Sequence, residues 1–283
     1  MKLLEKIICD DCLNVLNIGE IKNIHLTIFD PPFNQGKEYE YHDDNMETEE
    51  YWEWIEEILT RIYELTEEGG AIYFMHREKN VGKIFNLMQK IGWTYRNLII
   101  WRKMSKSPPI TNAFSKRYQI IFYGIKGNRP RVFNQLHCDA PMVSWHKIPY
   151  RRGISVDDVW YDIRELTSGF LGGNEVIRET NGHKVHLQQM PLSLPARMIL
   201  TSTMPGDLVL DPTAGTGTSL IAAKQLNRSA IAIDIDPKNC EVIRKRLPIA
   251  KYDNIDNLYY DYRFTPEIDK IWGQRKQQKL AWL

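Results

Sequence analysis

The chain has 283 residues, 43% of them hydrophobic, which suffices for one large core or for one core with a small insert. No apolar run approaches the roughly 20 residues of a membrane helix. The start, Met1 to Lys6, carries charge within its apolar stretch, which makes it a poor secretion signal, and four cysteines in so long a chain suit a reduced, cytoplasmic protein. The net charge of +1 conceals two opposed segments: residues 37–68 hold 13 acidic and 2 basic side chains, and residues 96–152 hold 12 basic and one acidic. A near-neutral total therefore does not exclude a polyanionic partner.

Taken in chain order, the predicted strands are Lys6–Cys9, Ile24–Phe29, Ala71–Met75, Tyr95–Trp101, Tyr118–Gly124, Leu208–Leu210 and Ala230–Ile233. Most are continuous apolar runs, as expected of strands covered on both faces. Helical periodicity marks Thr48–Leu65, Glu78–Ile91, Leu192–Ser202, Ser219–Leu226 and Pro237–Arg246. Gly69-Gly70 and Gly92 are read as the stops of the first two. Alternating strands and helices predict an α/β, doubly wound, mostly parallel sheet of seven strands. The acidic segment reads as the solvated face of the helix at 48–65, with Tyr51, Trp52, Ile55, Ile58, Leu59 and Ile62 on its apolar side.

The rhythm breaks between residues 126 and 185, where Pro, Gly and polar residues dominate. A structureless loop of that length is uncommon in a compact fold, so residues 127–185 are read as an inserted recognition region. The expected organisation is a first half-domain at 1–126, the insert, a second half-domain at 186–250, and a tail at 251–283 read as a terminal helix or a mobile segment. Cys9 and Cys12 have a metal-like spacing, but no second pair accompanies them and no metal is expected.

Two short motifs carry the chemistry. Asp211-Pro212-Thr213-Ala214-Gly215-Thr216-Gly217-Thr218 is a glycine-rich turn between a strand and a helix, where the backbone can approach a nucleotide-like cofactor. Asp234 ends the next strand, where a carboxylate can accept from both ribose hydroxyls. A dinucleotide fingerprint would need its third glycine at Leu220, which weakens that reading. Asp30-Pro31-Pro32-Phe33, after another apolar run, places a carboxylate, a kinked backbone and an aromatic ring side by side. Such a group can hold a planar base and accept hydrogen bonds from its amino group.

Together these segments resemble the DNA amino-methyltransferases, with the catalytic motif first, the order of that family's beta group. Further likeness lies in His186-Leu187-Gln188-Gln189-Met190-Pro191, similar to the family's H-P-x-Q-K-P, with Leu187 and Met190 departing from it. Asp10-Asp11-Cys12 is similar to G-D-C, and Trp101-Arg102-Lys103 to W-x-K. The resemblance implies a circularly permuted Rossmann-like sheet, S-adenosyl-L-methionine as cofactor, double-stranded DNA as partner and an extruded target base. It implies catalysis by Asp30, Pro31, Pro32 and Phe33. Cofactor contacts would come from Asp11, His186, Gln189, Asp211, Thr213, Ala214, Gly215, Gly217, Thr218 and Asp234. DNA contacts are expected from Arg102, Lys103, Lys106, Lys116 and Arg117 beside the catalytic fold and from Arg151 and Arg152 in the insert. Asp30 in place of the Ser common in cytosine-N4 enzymes favours adenine-N6; cytosine-N4 is the alternative, and an RNA or protein amide methyltransferase a more distant one. A companion restriction endonuclease and a homodimer are partners the resemblance leaves open.

Overall fold

The computed structural model describes residues 3–103, 111–138, 154–166, 175–177, 189–248 and 258–261. Five strands form a parallel group. They are β1 (Glu5–Cys9), β2 (Ile24–Phe29), β3 (Thr66–His76), β9 (Leu208–Asp211) and β10 (Ser229–Asp234). Next to β3 run β4 (Trp93–Arg102) and β5 (Tyr118–Lys126), and the two-residue β8 (Val159–Trp160) closes the edge. The order is β1-β10-β9-β2-β3-β5-β4-β8, with only the β3–β5 and β5–β4 pairings antiparallel. All seven predicted strands are present; the eighth comes from the stretch read as an insert.

The helices cover both faces. They are α1 (Cys12–Asn17), α2 (Thr48–Leu65), α3 (Val81–Ile91), α4 (Ser193–Ser202), α5 (Thr218–Gln225) and α6 (Pro237–Arg246). Over most of the sheet, successive strand residues alternate between two cores. Leu26 and Ile28 of β2 join one, with α4 and α5; Phe29 joins the other, with α1, α2 and α3, as does Ile24, which lies across the register shift before Leu26. The apolar side of α2 is buried as its periodicity requires, and its glutamates face water.

Two expectations need correction. Gly69-Gly70 do not stop α2. That helix ends at Leu65, where Thr66 turns to extended backbone and its hydroxyl bonds Ile62 O at 2.6 Å. The glycines lie inside β3, in a bulge where the register against β2 jumps from Ile24↔Thr66 to Leu26↔Ala71. At Gly69, φ is +76°, and a Cβ there would come within 2.6 Å of Arg131 N and 2.9 Å of Arg129 O. The local helix-breaking signal of a glycine pair and its long-range role in a bulge look alike in sequence.

The second correction concerns the tail. Leu258–Asp261 forms strand β11, which pairs antiparallel with β6 (Gln135–Cys138), and β6 pairs with β7 (Ile154–Ser155) in a separate three-stranded sheet. The aromatic run Leu258-Tyr259-Tyr260 suits a strand better than the helix considered for it.

The described part of residues 127–166 is bound closely to the main fold. Asn134 donates through its amide to Leu200 O at 2.8 Å, and Asn134 N bonds Thr201 O at 2.8 Å. Trp160 and Ile163 are buried, Trp101 Nε1 donates to Ile163 O at 2.9 Å, and the Arg197 guanidinium lies 5.1 Å from the Trp160 ring while pairing with Asp162.

The bulge at Gly69 generates a stability prediction. Gly69→Ala should lower the unfolding free energy in urea by at least about 2 kcal/mol, since left-handed backbone costs about 1–3 kcal/mol and overpacking adds to it. A change within about 0.5 kcal/mol, the range of surface substitutions, would contradict the close approach to Arg131.

Candidate functional site

Parallel pairing of β2 with β9, Leu26↔Val209 and Thr27↔Leu210, brings the two motifs to neighbouring strand ends. They open into one cavity of about 860 Å³, at the carboxyl edge where α/β sheets bind ligands. Asp30 to Phe33 line one side, Asp211 to Thr216 with Thr218 the other, and Asp11, Gln189 and Asp234 complete the wall.

The glycine turn is held by the next strand. Gly215 N donates to Asp234 Oδ2 at 2.7 Å, and Asp234 Oδ1 accepts from Asp236 N at 2.9 Å and from Asn239 at 3.0 Å. Asp234 therefore shapes the turn as well as facing the cavity. Asp211 accepts from Thr213 N at 3.1 Å and from the Ser219 hydroxyl. Gly217 does not line the cavity. Its φ is +74°, and a Cβ would meet Ile243 of α6 at 2.7 Å. The second glycine thus has a packing role against α6.

Burial makes all three carboxylates of the cavity harder to ionise. Burial pushes Asp211 up to about 7, and the charges of Asp30 and Asp234 add to that shift. Burial pushes Asp30 up to about 6, opposed by the nearby Lys103 and Lys37 ammonium groups and by the Gln119 side chain. Asp234 is also raised, chiefly by burial. Asp30 Oδ1, Thr213 Oγ1 and Thr218 Oγ1 are buried without a hydrogen-bond partner among the described residues. Unpaired buried oxygens in a cavity wall are costly unless a ligand satisfies them.

The loop after Phe33 is organised by one buried side chain. Asp44 accepts from Asn34 N at 2.8 Å, Gln35 N at 3.1 Å and Lys37 N at 3.0 Å. Residues 36–42 then cover the cavity, with Tyr39, Tyr41, His42 and Trp54 in its wall and Glu40 ion-paired to Lys238 of α6. Nothing local marked these residues as part of a site, because they are brought there by Asp44 and by packing on α2.

The remaining expected residues divide. Asp11 lines the cavity and also caps α1, accepting from Leu13 N at 2.7 Å. Gln189 reaches the cavity, but its amide is engaged with Glu175 O at 2.8 Å and Ile177 N at 3.0 Å. Arg102 and Arg117 are exposed at the same edge of the sheet. Lys116 is exposed and pairs with Glu78. Lys103 differs from the phosphate-facing position expected. Its ammonium lies 5.1 Å from the Trp101 ring centre, and burial lowers its pKa against the opposing charges of Asp30 and Glu165. Lys106, Arg151, Arg152 and His186 lie outside the described residues. Cys9 is exposed and Cys12 buried, and among the described residues no group of three or more His, Cys, Asp or Glu could hold a metal. Among them, too, no helix is long and apolar enough to cross a membrane.

Comparison with known proteins bears on this geometry. Type II methyltransferase M.HpaI of Haemophilus parainfluenzae is 30% identical over 255 residues, covering 90% of this chain and 77% of that protein. DNA adenine methyltransferase YhdJ of Escherichia coli (strain K12) is 25% identical over 258 residues, covering 89% and 85%. Among solved structures, the M1.HpyAVI–SAM complex matches with a TM-score of 0.60 at 19% identity, over 86% of this chain and 99% of that one. PvuII DNA methyltransferase (cytosine-N4-specific) matches with a TM-score of 0.62 at 18% identity, over 87% and 86%. These structures speak for the fold. The family model described as DNA methylase matches residues 24–245, more than half of the sequence, and the chain belongs to that N6/N4 DNA methylase family.

Proposed function

We propose that the protein transfers a methyl group from S-adenosyl-L-methionine to the exocyclic N6 of an adenine extruded from double-stranded DNA. The observation that carries this reading is Asp30 Oδ1, buried and without a partner among the described residues, in the cavity that the glycine turn also lines. When bound, S-adenosyl-L-methionine supplies a methyl group on a sulfonium sulfur. The residues fit such a group: three carboxylates suit a cation, and the unpartnered Thr213 and Thr218 hydroxyls offer hydrogen bonds. Asp234, Asp11 and Gln189 line the same cavity, and the reading gives Asp234 the ribose hydroxyls and Asp11 the adenine end of the cofactor.

An adenine amino nitrogen is a weak nucleophile because its lone pair is delocalised into the ring. Asp30 Oδ1 and the Pro31 carbonyl, as two acceptors, draw the N–H bonds out of plane and restore the lone pair. With the cofactor bound, its sulfonium would give up the methyl group to N6, and Asp30 would stabilise the positive charge developing there. The excess proton then leaves N6 through that carboxylate. Phe33 offers a face for the base. Extruding the base costs a few kcal/mol, which the exposed Arg102 and Arg117 offset by meeting phosphates.

Adenine is preferred because Asp30 stands where cytosine-N4 enzymes commonly carry Ser. A cytosine-N4 specificity is the second reading, favoured by the fold likeness to the PvuII enzyme. Single-molecule sequencing of amplified, unmethylated genomic DNA after incubation with the protein separates them. N6-methyladenine at a fixed site is expected, and N4-methylcytosine would overturn the choice of base. Residues 127–185 are proposed as the target-recognition region, and a cytoplasmic restriction endonuclease as a companion; a homodimer belongs to the same proposal.

Two predictions concern charge. Ionised Asp30 accepts more strongly than the protonated acid and is the form that can take the excess proton from N6. With its pKa at about 6, kcat/KM should fall below that pH, by about tenfold per unit. Asp30→Asn should lose about 10²–10³ of the rate while cofactor affinity, by calorimetry, stays within threefold. A flat profile from pH 5 to 8, or an Asn variant with more than about a tenth of the rate, would refute the assignment.

The product S-adenosylhomocysteine lacks the sulfonium charge, so ionised carboxylates should distinguish the two. With Asp211 at about 7 and Asp30 at about 6, raising pH from 5.5 to 8 ionises both. The affinity ratio of S-adenosylmethionine to S-adenosylhomocysteine should then rise about tenfold, the equivalent of one pKa unit. A ratio independent of pH would separate these carboxylates from the sulfonium.

A further inference from the structure

The Asp30–Phe33 turn has an unusual anchoring problem. Pro31 and Pro32 have no backbone N–H, so the backbone of these two residues can be tethered only through carbonyl oxygens. One carbonyl, that of Pro31, must stay free if it is to accept from the base. The Pro32 carbonyl is the one the protein holds: Tyr51 of α2 donates its hydroxyl to Pro32 O at 2.8 Å.

Tyr51 is itself fixed. Its oxygen lies 2.9 Å from His76 Nε2, at the end of β3. His76 Nδ1 accepts from Arg77 N at 2.8 Å and lies 3.2 Å from the Asn80 amide nitrogen. With Nδ1 accepting, the neutral ring carries its proton on Nε2 and donates it to Tyr51. The order is His76 Nε2–H to Tyr51 O, then Tyr51 O–H to Pro32 O. The imidazole also supports Phe33, with ring centres 5.0 Å apart, and stacks on Trp52 at 5.2 Å. Tyr51 is 2% exposed and His76 fully buried. Two buried polar side chains thus aim their hydrogen bonds, in series, at the turn.

We infer that Tyr51 and His76 are positioning residues for methyl transfer, a relay that orients the Pro32 carbonyl and the Phe33 ring and leaves the Pro31 carbonyl free for the target base. This rests on the function proposed above and adds two residues to it that touch neither cofactor nor base. Burial and the charges of Arg77 and Lys79 hold the His76 pKa down at about 3, so the relay keeps its direction across the working pH range.

The test uses the full-length chain, S-adenosylmethionine with a labelled methyl group, and amplified unmethylated genomic DNA. Tyr51→Phe removes one oxygen and should lower kcat about tenfold, the scale of a lost hydrogen bond and a slightly displaced group. KM for DNA, cofactor Kd and melting temperature should stay close to wild type. His76→Met fills the space without a donor and should match Tyr51→Phe. His76→Gln can place an N–H near the Nε2 position and should recover most of the rate. Because the groups act in series, the double variant Tyr51→Phe/His76→Met should be no slower than the slower single variant. A Tyr51→Phe enzyme within twofold of the wild-type kcat, losses that multiply in the double variant, or failure of His76→Gln to exceed His76→Met would overturn the relay. If His76→Met fails to fold, Tyr51→Phe and His76→Gln still decide. A wild type that methylates DNA while the variants keep its rate removes only this inference; a wild type that transfers no methyl group to DNA removes the function as well.

Discussion

The site depends on one pairing, that of β2 with β9. The two strands are separated by most of the sequence, yet two register pairs, Leu26↔Val209 and Thr27↔Leu210, fix their carboxyl ends side by side. Two of the three buried carboxylates hang from those ends, and the third from the next strand. Asp30 follows β2 directly, Asp211 is the last residue of β9, and Asp234 ends the neighbouring β10. A slip of one residue would exchange the two cores, since alternate side chains of β2 belong to opposite faces. The hydrophobic pattern that builds the fold therefore also sets the spacing of the carboxylates.

That arrangement is unfavourable for the protein alone. Asp30 and Asp211 are held at raised pKa by burial, and oxygens of Asp30, Thr213 and Thr218 lack partners among the described residues. The rest of the structure limits the cost. Ser219 and Thr213 N satisfy Asp211, Gly215 N and Asn239 satisfy Asp234, and Lys103 turns inward toward Asp30. What remains unsatisfied faces the cavity. In the proposed function, a cationic methyl donor and an amino group would answer both deficits, turning strain in the free protein into affinity and orientation in the complex.

The two motifs were legible because their meaning is local. Asp-Pro-Pro-Phe and the glycine turn each follow an apolar strand, and both their position and their chemistry can be read from a few consecutive residues. Asp211, Asp30 and Asp234 were found in this way. Residues whose role is made by contact across the chain were not. Tyr51 sits at an apolar position of α2 and reads as core, until the fold places its hydroxyl against Pro32. His76 is one more residue at a strand end. Gly69 and Gly70 read as a helix stop because the segment at 129–131, which crowds Gly69, is 60 residues away. Gly217 belonged to a recognisable turn, but its neighbour Ile243 gives it a packing role. Lys103 was grouped with the basic stretch because charge is visible in sequence and side-chain direction is not.

A crystal structure of the protein with S-adenosylhomocysteine tests the central claim most directly, namely that the paired ends of β2 and β9 form one site for cofactor and base. The ligand should lie between the glycine turn and Asp30, its ribose toward Asp234 and its sulfur facing Asp30 Oδ1, with open space for a base between that sulfur and Phe33. A ligand whose sulfur points away from Asp30, or one bound outside this cavity, would contradict it.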